Sequence, residues 1–285
     1  MSSLLGKCAI VTGGSRGIGF TIAQKLISEG AKVVICSRNK SELEKAVKLL
    51  NHKAASVFGK LCDVSKANEC RNLIMFAKSK LKKIDILVNN AGVYGPIGPL
   101  EKIDVNEWKK AMEINLLGVI YCSHFVIPNM KKNKGGKIIN LCGAGIGSSK
   151  TMPNFTSYYT SKGAIAAFTE VLAEELKNKN IQVNCISPGA VNTYLNEYLI
   201  KQGREKSGDE VYNQALRQKK EGGTSPNLAA ELVAFLASDK ADNISGRLLS
   251  AKWNPPLVLK KVKNLSSNLF KLRRIDEGLF YEKKE

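Results

Sequence analysis

Histidine is almost missing from this chain of 285 residues: His52 and His124 are the only two, and they lie far apart. With no histidine cluster, no metal is expected. Cysteine pairs are missing too. The seven cysteines, Cys8, Cys36, Cys62, Cys70, Cys122, Cys142 and Cys185, form no CxxC and are odd in number, which excludes a disulfide framework or a zinc ribbon. Several lie in apolar runs, the pattern of small buried hydrophobes in a reducing compartment. No run approaches the roughly 18 to 20 apolar residues that a membrane span needs. Met1 to Lys7 leads into an apolar strand pattern with no basic segment and long apolar stretch in front, so the expectation is a cytoplasmic protein with no membrane partner. There is no internal repeat and no low-complexity tract. Acidic residues are the scarcer charge, 25 against 44 Lys and Arg, a net charge of +19. That excess raises the question of nucleic acid. The cations, however, are spread over helix-like stretches (Lys40, Lys45, Lys48; Lys78, Lys80, Lys82, Lys83) and the tail (Lys260, Lys261, Lys263, Arg273, Arg274), with no zinc-finger spacing and no aromatic-basic RNA motif. They read as solvated faces, and no nucleic-acid partner is expected.

What is present is an ordinary globular balance, 44% hydrophobic and 24% charged, enough for one large core. Apolar runs of strand length at Lys7 to Thr12, Lys32 to Cys36, Ser56 to Leu61, Ile84 to Asn89, Lys137 to Leu141, Ile181 to Ile186 and Gly246 to Ser250 alternate with helical patterns. The helices are Gly17 to Glu29, Ser41 to Leu50, Lys66 to Lys82, one long helix from about Asp104 to Met130, Ser157 to Lys177, and Pro226 to Ser238. Alternation of this kind predicts an α/β fold, a Rossmann-type doubly wound parallel sheet of about seven strands in a single domain. That domain is expected over 1–250, with a polar substrate lobe inserted at about 190–224. WNPP then stops the last strand, since proline cannot continue a ladder, leaving a basic C-terminal extension over 251–285.

Directly after the first strand stands Thr12-Gly13-Gly14-Ser15-Arg16-Gly17-Ile18-Gly19, opening a helix. Glycines there let the backbone turn tightly and approach a pyrophosphate, whose charge sits on free N–H groups at the helix N-terminus. The spacing differs from the common dinucleotide fingerprint. Further along come Asp63-Val64, Asn89-Asn90-Ala91-Gly92, Asn115, Tyr158-x-x-x-Lys162 and Pro188-Gly189 followed by Thr193. On these motifs the sequence resembles the short-chain dehydrogenase/reductase family over roughly residues 5 to 250. The resemblance implies a nicotinamide dinucleotide held by Gly13, Ser15, Arg16, Gly17, Ile18 and Gly19, by Asp63 and Val64 beside the adenine, and by Asn89, Ala91, Gly92, Pro188, Gly189, Val191 and Thr193. The end of the second strand, Cys36-Ser37-Arg38, lacks the acidic residue an NAD site places there. Arg38, with Arg16 as a second cation, suits a 2′-phosphate, so NADP(H) is favoured over NAD(H).

Tyr158 and Lys162 are four apart and share one helix face. In the family such a tyrosine gives a proton to a carbonyl oxygen. The neighbouring ammonium should lower its pKa and also bind the nicotinamide ribose, while Asn115 fixes a water that links the lysine to solvent. The implied function is interconversion of a small-molecule carbonyl and alcohol by hydride transfer. Tyr159 competes poorly for the role, because its partner at that spacing is Gly163. One departure stands out. The family usually closes the fifth strand with Asn-Ile-Ser-Ser, the second serine polarising the carbonyl, whereas this chain reads Asn140-Leu141-Cys142-Gly143-Ala144-Gly145. The serine slot is Gly143, with Ser148, Ser149 or Cys142 as possible replacements, and Gly143→Ser should be tolerated or beneficial. The alternative reading is a catalytically impaired dinucleotide-binding protein of the same fold. By resemblance the helices bearing Asn115 and Tyr158 pack in a homodimer or homotetramer, the second offering Ala164, Ala167, Phe168, Val171 and Leu172 as its stripe.

Overall fold

Strands that carry apolar residues at consecutive positions, with no alternation, need cover on both faces. β1 (Cys8–Thr12) is buried at all its positions, and β4 (Ile86–Asn89) likewise. With β2 (Lys32–Ser37), β3 (Val57–Leu61), β5 (Gly136–Leu141), β6 (Ile181–Ser187) and β7 (Leu248–Ser250) they form one sheet of seven strands in the order β3-β2-β1-β4-β5-β6-β7. Every neighbouring pair is parallel. This is the doubly wound sheet expected. The strand order reverses between β1 and β4, and a crevice opens outside the carboxyl ends of the strands at such a point. The computed structural model describes residues 3–51, 56–143, 145–146, 151–259 and 270–271.

The helices are α1 (Gly17–Ser28), α2 (Lys40–Asn51), α3 (Ala67–Leu81), α4 (Val105–Met112), α5 (Gly118–Lys132), α6 (Thr156–Glu175), α7 (Tyr194–Ser207), α8 (Asp209–Glu221), α9 (Pro226–Ala237) and the short α10 (Pro256–Leu259). α1, α2 and α9 seal one face of the sheet: Ile22, Leu26, Leu43, Leu232 and Leu236 pack there on Ala9, Val11 and Ile35. α3 and α5 seal the other, with Leu73, Ile74, Val126 and Met130 against Ile10, Val34, Leu87 and Ile138. α9 is buried over most of its length, and it starts where Ser225 accepts from the Asn227 amide with Pro226 at the first helical position, where proline's missing N–H costs nothing.

The single long helix read from the sequence is interrupted. α4 and α5 are joined by one π-helical turn, Glu113–Leu117, which inserts a residue into the helical register without breaking the rod. The composite Val105–Lys132 has a window of mean hydropathy 1.3, long and apolar enough by those measures to cross a membrane, and 44% of that window is buried inside the protein. Beyond β6, α7 and α8 form a lobe whose base is closed by an antiparallel bridge between Val191 and Gly223. Gly203 (φ 82°) kinks α7, and Gly208 (φ 81°) separates it from α8. At the far edge of the sheet Leu248 of β7 donates its amide to the carbonyl of Phe270 at 2.7 Å.

Candidate active site

The β1–α1 turn is shaped by close approach. A Cβ on Gly19 would collide with the Gly13 carbonyl and the Asn90 amide nitrogen, and Gly13 itself sits at φ 63° with Ala91 Cα 3.0 Å from where its Cβ would be. Thr12 ties this turn to the end of β4: its hydroxyl accepts from the amides of Asn90 (3.0 Å) and Ala91 (3.1 Å). Asn90 Nδ2 donates in return to the Thr12 carbonyl at 2.9 Å. α1 then begins with Arg16 at its N-cap, making no side-chain cap, and with no acidic residue in its first turn. Its first amides therefore face the crevice unopposed, as an anion requires. The groove in front encloses about 1120 Å³ and is lined by Gly13, Ser15, Arg16, Gly17, Ile18, Gly19, Arg38, Val64, Ala91, Gly92 and Thr193 from the expected set. A glycine cradle, bare helix amides and a long groove at the switch point fit a dinucleotide.

Seven of the expected dinucleotide residues are not on that groove's wall: Tyr158, Pro188, Gly189 and Val191 line a second cavity, and Asn89, Asp63 and Lys162 line neither. Asn89 points into the core, donating to Asn140 Oδ1 (2.9 Å) and Ser123 Oγ (3.3 Å); its neighbour Asn90 takes the groove wall. Asp63 spends a carboxylate oxygen on Ser65, at 2.8 Å from its hydroxyl, while Val64 faces the groove. Among the groove residues that the sequence reading did not assign to the site are Asn90, Glu42 and Tyr194. Glu42 pairs with Arg16 at 3.0 Å, and the Arg16 guanidinium lies over the Tyr194 ring, 4.0 Å from its centroid. Only Asn90 had a signal, as a member of the Asn-Asn-Ala-Gly motif. Arg38 is exposed at the rim and has no ion-pair partner among the described residues.

A second cavity of about 580 Å³ continues beneath the lobe, lined by Ile18, Tyr94, Tyr158, Pro188, Gly189, Val191 and Thr193 among others. Tyr158 presents its ring here, near the start of α6. Lys162, one turn on, is buried below it: its Nζ donates to the Leu141 carbonyl at 2.8 Å and lies 5.7 Å from the Tyr158 ring centroid. Burial acts on both groups. It pushes the Tyr158 phenol well above its ordinary value, with Tyr94 and Cys142 adding smaller contributions, and it brings the Lys162 ammonium down to about 8. Desolvation of the phenol thus sets the direction of its shift in this structure, opposite to the lowering expected from the lysine. Asn115, on the π turn, is fully buried. Its amide brackets Val93, accepting from the backbone N–H and donating to the carbonyl, both at 2.8 Å, and also donates to Ser161 Oγ at 3.0 Å. It clamps the end of β4 to α6.

Gly143 faces Tyr158 directly. A Cβ built there would lie 2.8 Å from Tyr158 Cε1 and 3.0 Å from Lys162 Cγ, so the ring occupies the space a serine would need. The Cys142 thiol points the other way, donating to the Lys162 carbonyl at 3.8 Å, and is buried against Cys185. Ser148 and Ser149 lie outside the described residues. Tyr159 donates its hydroxyl to the Gly145 carbonyl at 2.9 Å and so holds the loop after β5.

The sequence pattern of the family described as short chain dehydrogenase matches residues 7–203. The dehydrogenase/reductase SDR family member 4 of Homo sapiens is 35% identical over 253 residues, covering 89% of this chain and 88% of the relative. Its namesake in Caenorhabditis elegans is 33% identical over 245 residues, covering 86% and 93%. Among solved structures, NAD+-bound xylitol dehydrogenase superposes with a TM-score of 0.79 at 28% identity, over 87% of this chain and 98% of that one. With the glycine cradle, the Tyr158–Lys162 pair and the doubly wound sheet in one place, this chain belongs to the short-chain dehydrogenase/reductase family of oxidoreductases, which act on CH–OH or carbonyl groups with a nicotinamide dinucleotide.

Proposed function

We propose that the chain interconverts a small uncharged carbonyl compound and its alcohol with NADP(H), Tyr158 serving as proton donor and acceptor. The observation that carries this reading is Tyr158 itself: its hydroxyl has no protein partner among the described residues, and it opens on the cavity directly above the buried Lys162. When bound, the dinucleotide supplies or takes the hydride. The groove residues bind and orient it, the lobe keeps water from the cavity, and Tyr158 exchanges a proton with the substrate oxygen while Lys162 stands behind it as a second proton-bearing group. Preference for NADP(H) rests on Arg38, exposed at the rim with no acidic residue at the end of β2. Arg16 contributes less than the sequence suggested, since Glu42 and Tyr194 already hold it.

The lobe is rich in cations, yet among the described residues none lines the cavity of Tyr158, whose charged residues there are Asp209 and Glu210. Arg204 is turned to Asp209 and Asn213. This supports an uncharged substrate over an anionic acyl carrier. Val171 and Ala167 on α6 are exposed and Phe168 is half-buried, while Leu172 lies in the core. That face supports a homodimer or homotetramer, and the unpaired buried thiols support a reducing, cytoplasmic location.

Two variants test the reading. Tyr158→Phe should leave dinucleotide affinity intact and lower turnover by orders of magnitude. Arg38→Ala should erase most of an NADPH-over-NADH preference measured by fluorescence titration. Full turnover in the first variant, or equal affinities for the two cofactors in the parent, would sink the corresponding half.

A further inference from the structure

The family's serine is absent and Gly143 cannot stand in for it, so another group must present a second hydrogen bond to the substrate oxygen, or none does. The cavity wall narrows the choice. Among the described residues its hydroxyl-bearing side chains are Tyr94, Thr151, Tyr158, Thr193 and Ser207. Thr193 caps α7, accepting from the Leu195 amide at 3.3 Å, and Ser207 donates to the Gly203 carbonyl at 2.6 Å. Thr151 is exposed at the mouth. Tyr94 differs from all of them. Its ring stands edge-on to Tyr158 with centroids 4.8 Å apart, and it packs on the fully buried Phe155 at 5.4 Å. Its backbone is pinned as well, with its carbonyl accepting from Ser157 Oγ at 3.0 Å and the preceding Val93 clamped by Asn115. The Tyr94 hydroxyl, like that of Tyr158, has no protein partner among the described residues.

Resting on the oxidoreductase reading above, we infer that Tyr94 is a second catalytic residue, its hydroxyl donating to the same substrate oxygen that Tyr158 protonates. In the reductive direction, hydride from the nicotinamide forms the new C–H bond and the carbonyl π pair moves to oxygen. The Tyr158 proton closes the alcohol, and the nicotinamide is left oxidised. Tyr94 transfers no proton; it holds a hydrogen bond to the oxygen as negative charge gathers there, where a fixed donor counts most. Burial keeps its phenol protonated, pushed up to about 12. Ring packing on both sides holds it in place beforehand, so little reorganisation is left for the reaction.

The test is a set of three variants, Tyr94→Phe, Thr151→Val and Tyr158→Phe, in the full-length chain. Turnover would be followed by NADPH consumption with a panel of vicinal diketones, aldehydes and ketoses, alongside dinucleotide affinity and melting temperature. Phenylalanine keeps the packing on Phe155 and Tyr158 and removes only the donor. Tyr94→Phe should lower kcat by about 10²- to 10³-fold with affinity and melting temperature unchanged. Deuterium at the transferred position should slow the variant more than the parent, because the chemical step then limits the rate; a purely structural role would not produce that. Thr151→Val should lower turnover far less than Tyr94→Phe does, since Thr151 is exposed at the mouth. A Tyr94→Phe variant with parental kcat beside an inactive Tyr158→Phe overturns the inference alone, and so does loss confined to Thr151→Val. A parent that binds NADPH and reduces no carbonyl of the panel overturns the oxidoreductase chemistry proposed for Tyr158 and this inference with it.

Discussion

Desolvation sets the behaviour of Tyr158 and Lys162 more than their mutual attraction does. A lysine whose folded pKa is brought from 10.5 to about 8 is charged below that value and neutral above it. As the second proton-bearing group behind Tyr158 it works in the charged form. Carbonyl reduction should therefore fall as pH rises through about 8, measured at saturating NADPH, and a rate that holds level up to pH 10 would count against the role. Stability moves the opposite way: between about 8 and 10.5 the unfolded chain holds more protons at this site than the folded one, so the contribution of Lys162 to stability rises with pH across that window. Lost activity there would not be lost fold. Gly143 makes the complementary case. The sequence suggests that restoring serine should be harmless or helpful, but the Tyr158 ring fills the Cβ position to within 2.8 Å, and an aromatic ring wedged between Tyr94 and α6 has little room to give. Gly143→Ser should displace Tyr158 and lower turnover at least tenfold, with NADPH affinity near the parent's; equal or greater turnover in steady-state assays would show that the ring yields.

At the scale of elements, legibility follows periodicity. The strands could be read because burial on both faces leaves continuous apolar runs such as CAIVT, and α1 could be bounded because Gly30 (φ 94°) follows it at a position that favours glycine. The glycine turn and the Tyr158–Lys162 face were legible for the same local reason, each being a short spacing with its chemistry inside it. The π turn was not. One inserted residue within Glu113–Leu117 leaves hydrophobic spacing nearly intact, so the sequence shows one helix where the structure has two and a register change that buries Asn115. Pairwise placements were likewise invisible: Asn89 against Asn90 differ by one position along a strand end, and only the pleat decides which meets Asn140 and which meets Thr12. Tyr94 and Glu42 belong to this class. Nothing local marks a tyrosine two residues beyond Gly92, because its meaning comes from α6 and Phe155, which reach it from far along the chain.

For the molecule as a whole, the C-terminal segment decides how the sheet ends. Among the described residues β7 pairs as a strand with β6 alone, and an uncovered edge is a liability that folds commonly conceal. Here Leu248 donates to the Phe270 carbonyl across that edge, Lys271 pairs with Glu170 of α6 at 3.5 Å, and Leu259 of α10 is buried in the core shared with α9. Burying one leucine contributes about 1.5–3 kcal/mol, and in a domain of this size each kilocalorie moves the midpoint by roughly 2–4 °C. Ending the chain after Pro256 should thus lower the melting temperature by on the order of 5 °C or more. It should also leave β7 free to pair with another copy, visible as time-dependent aggregation by light scattering. Turnover should change little, since Tyr94, Tyr158, Lys162 and the lobe all lie on the retained side. A truncated chain that melts with the parent and stays monodisperse would show that Leu259, Phe270 and Lys271 contribute nothing to holding that edge. Equal stability with lost turnover would place the segment in the catalytic cycle instead.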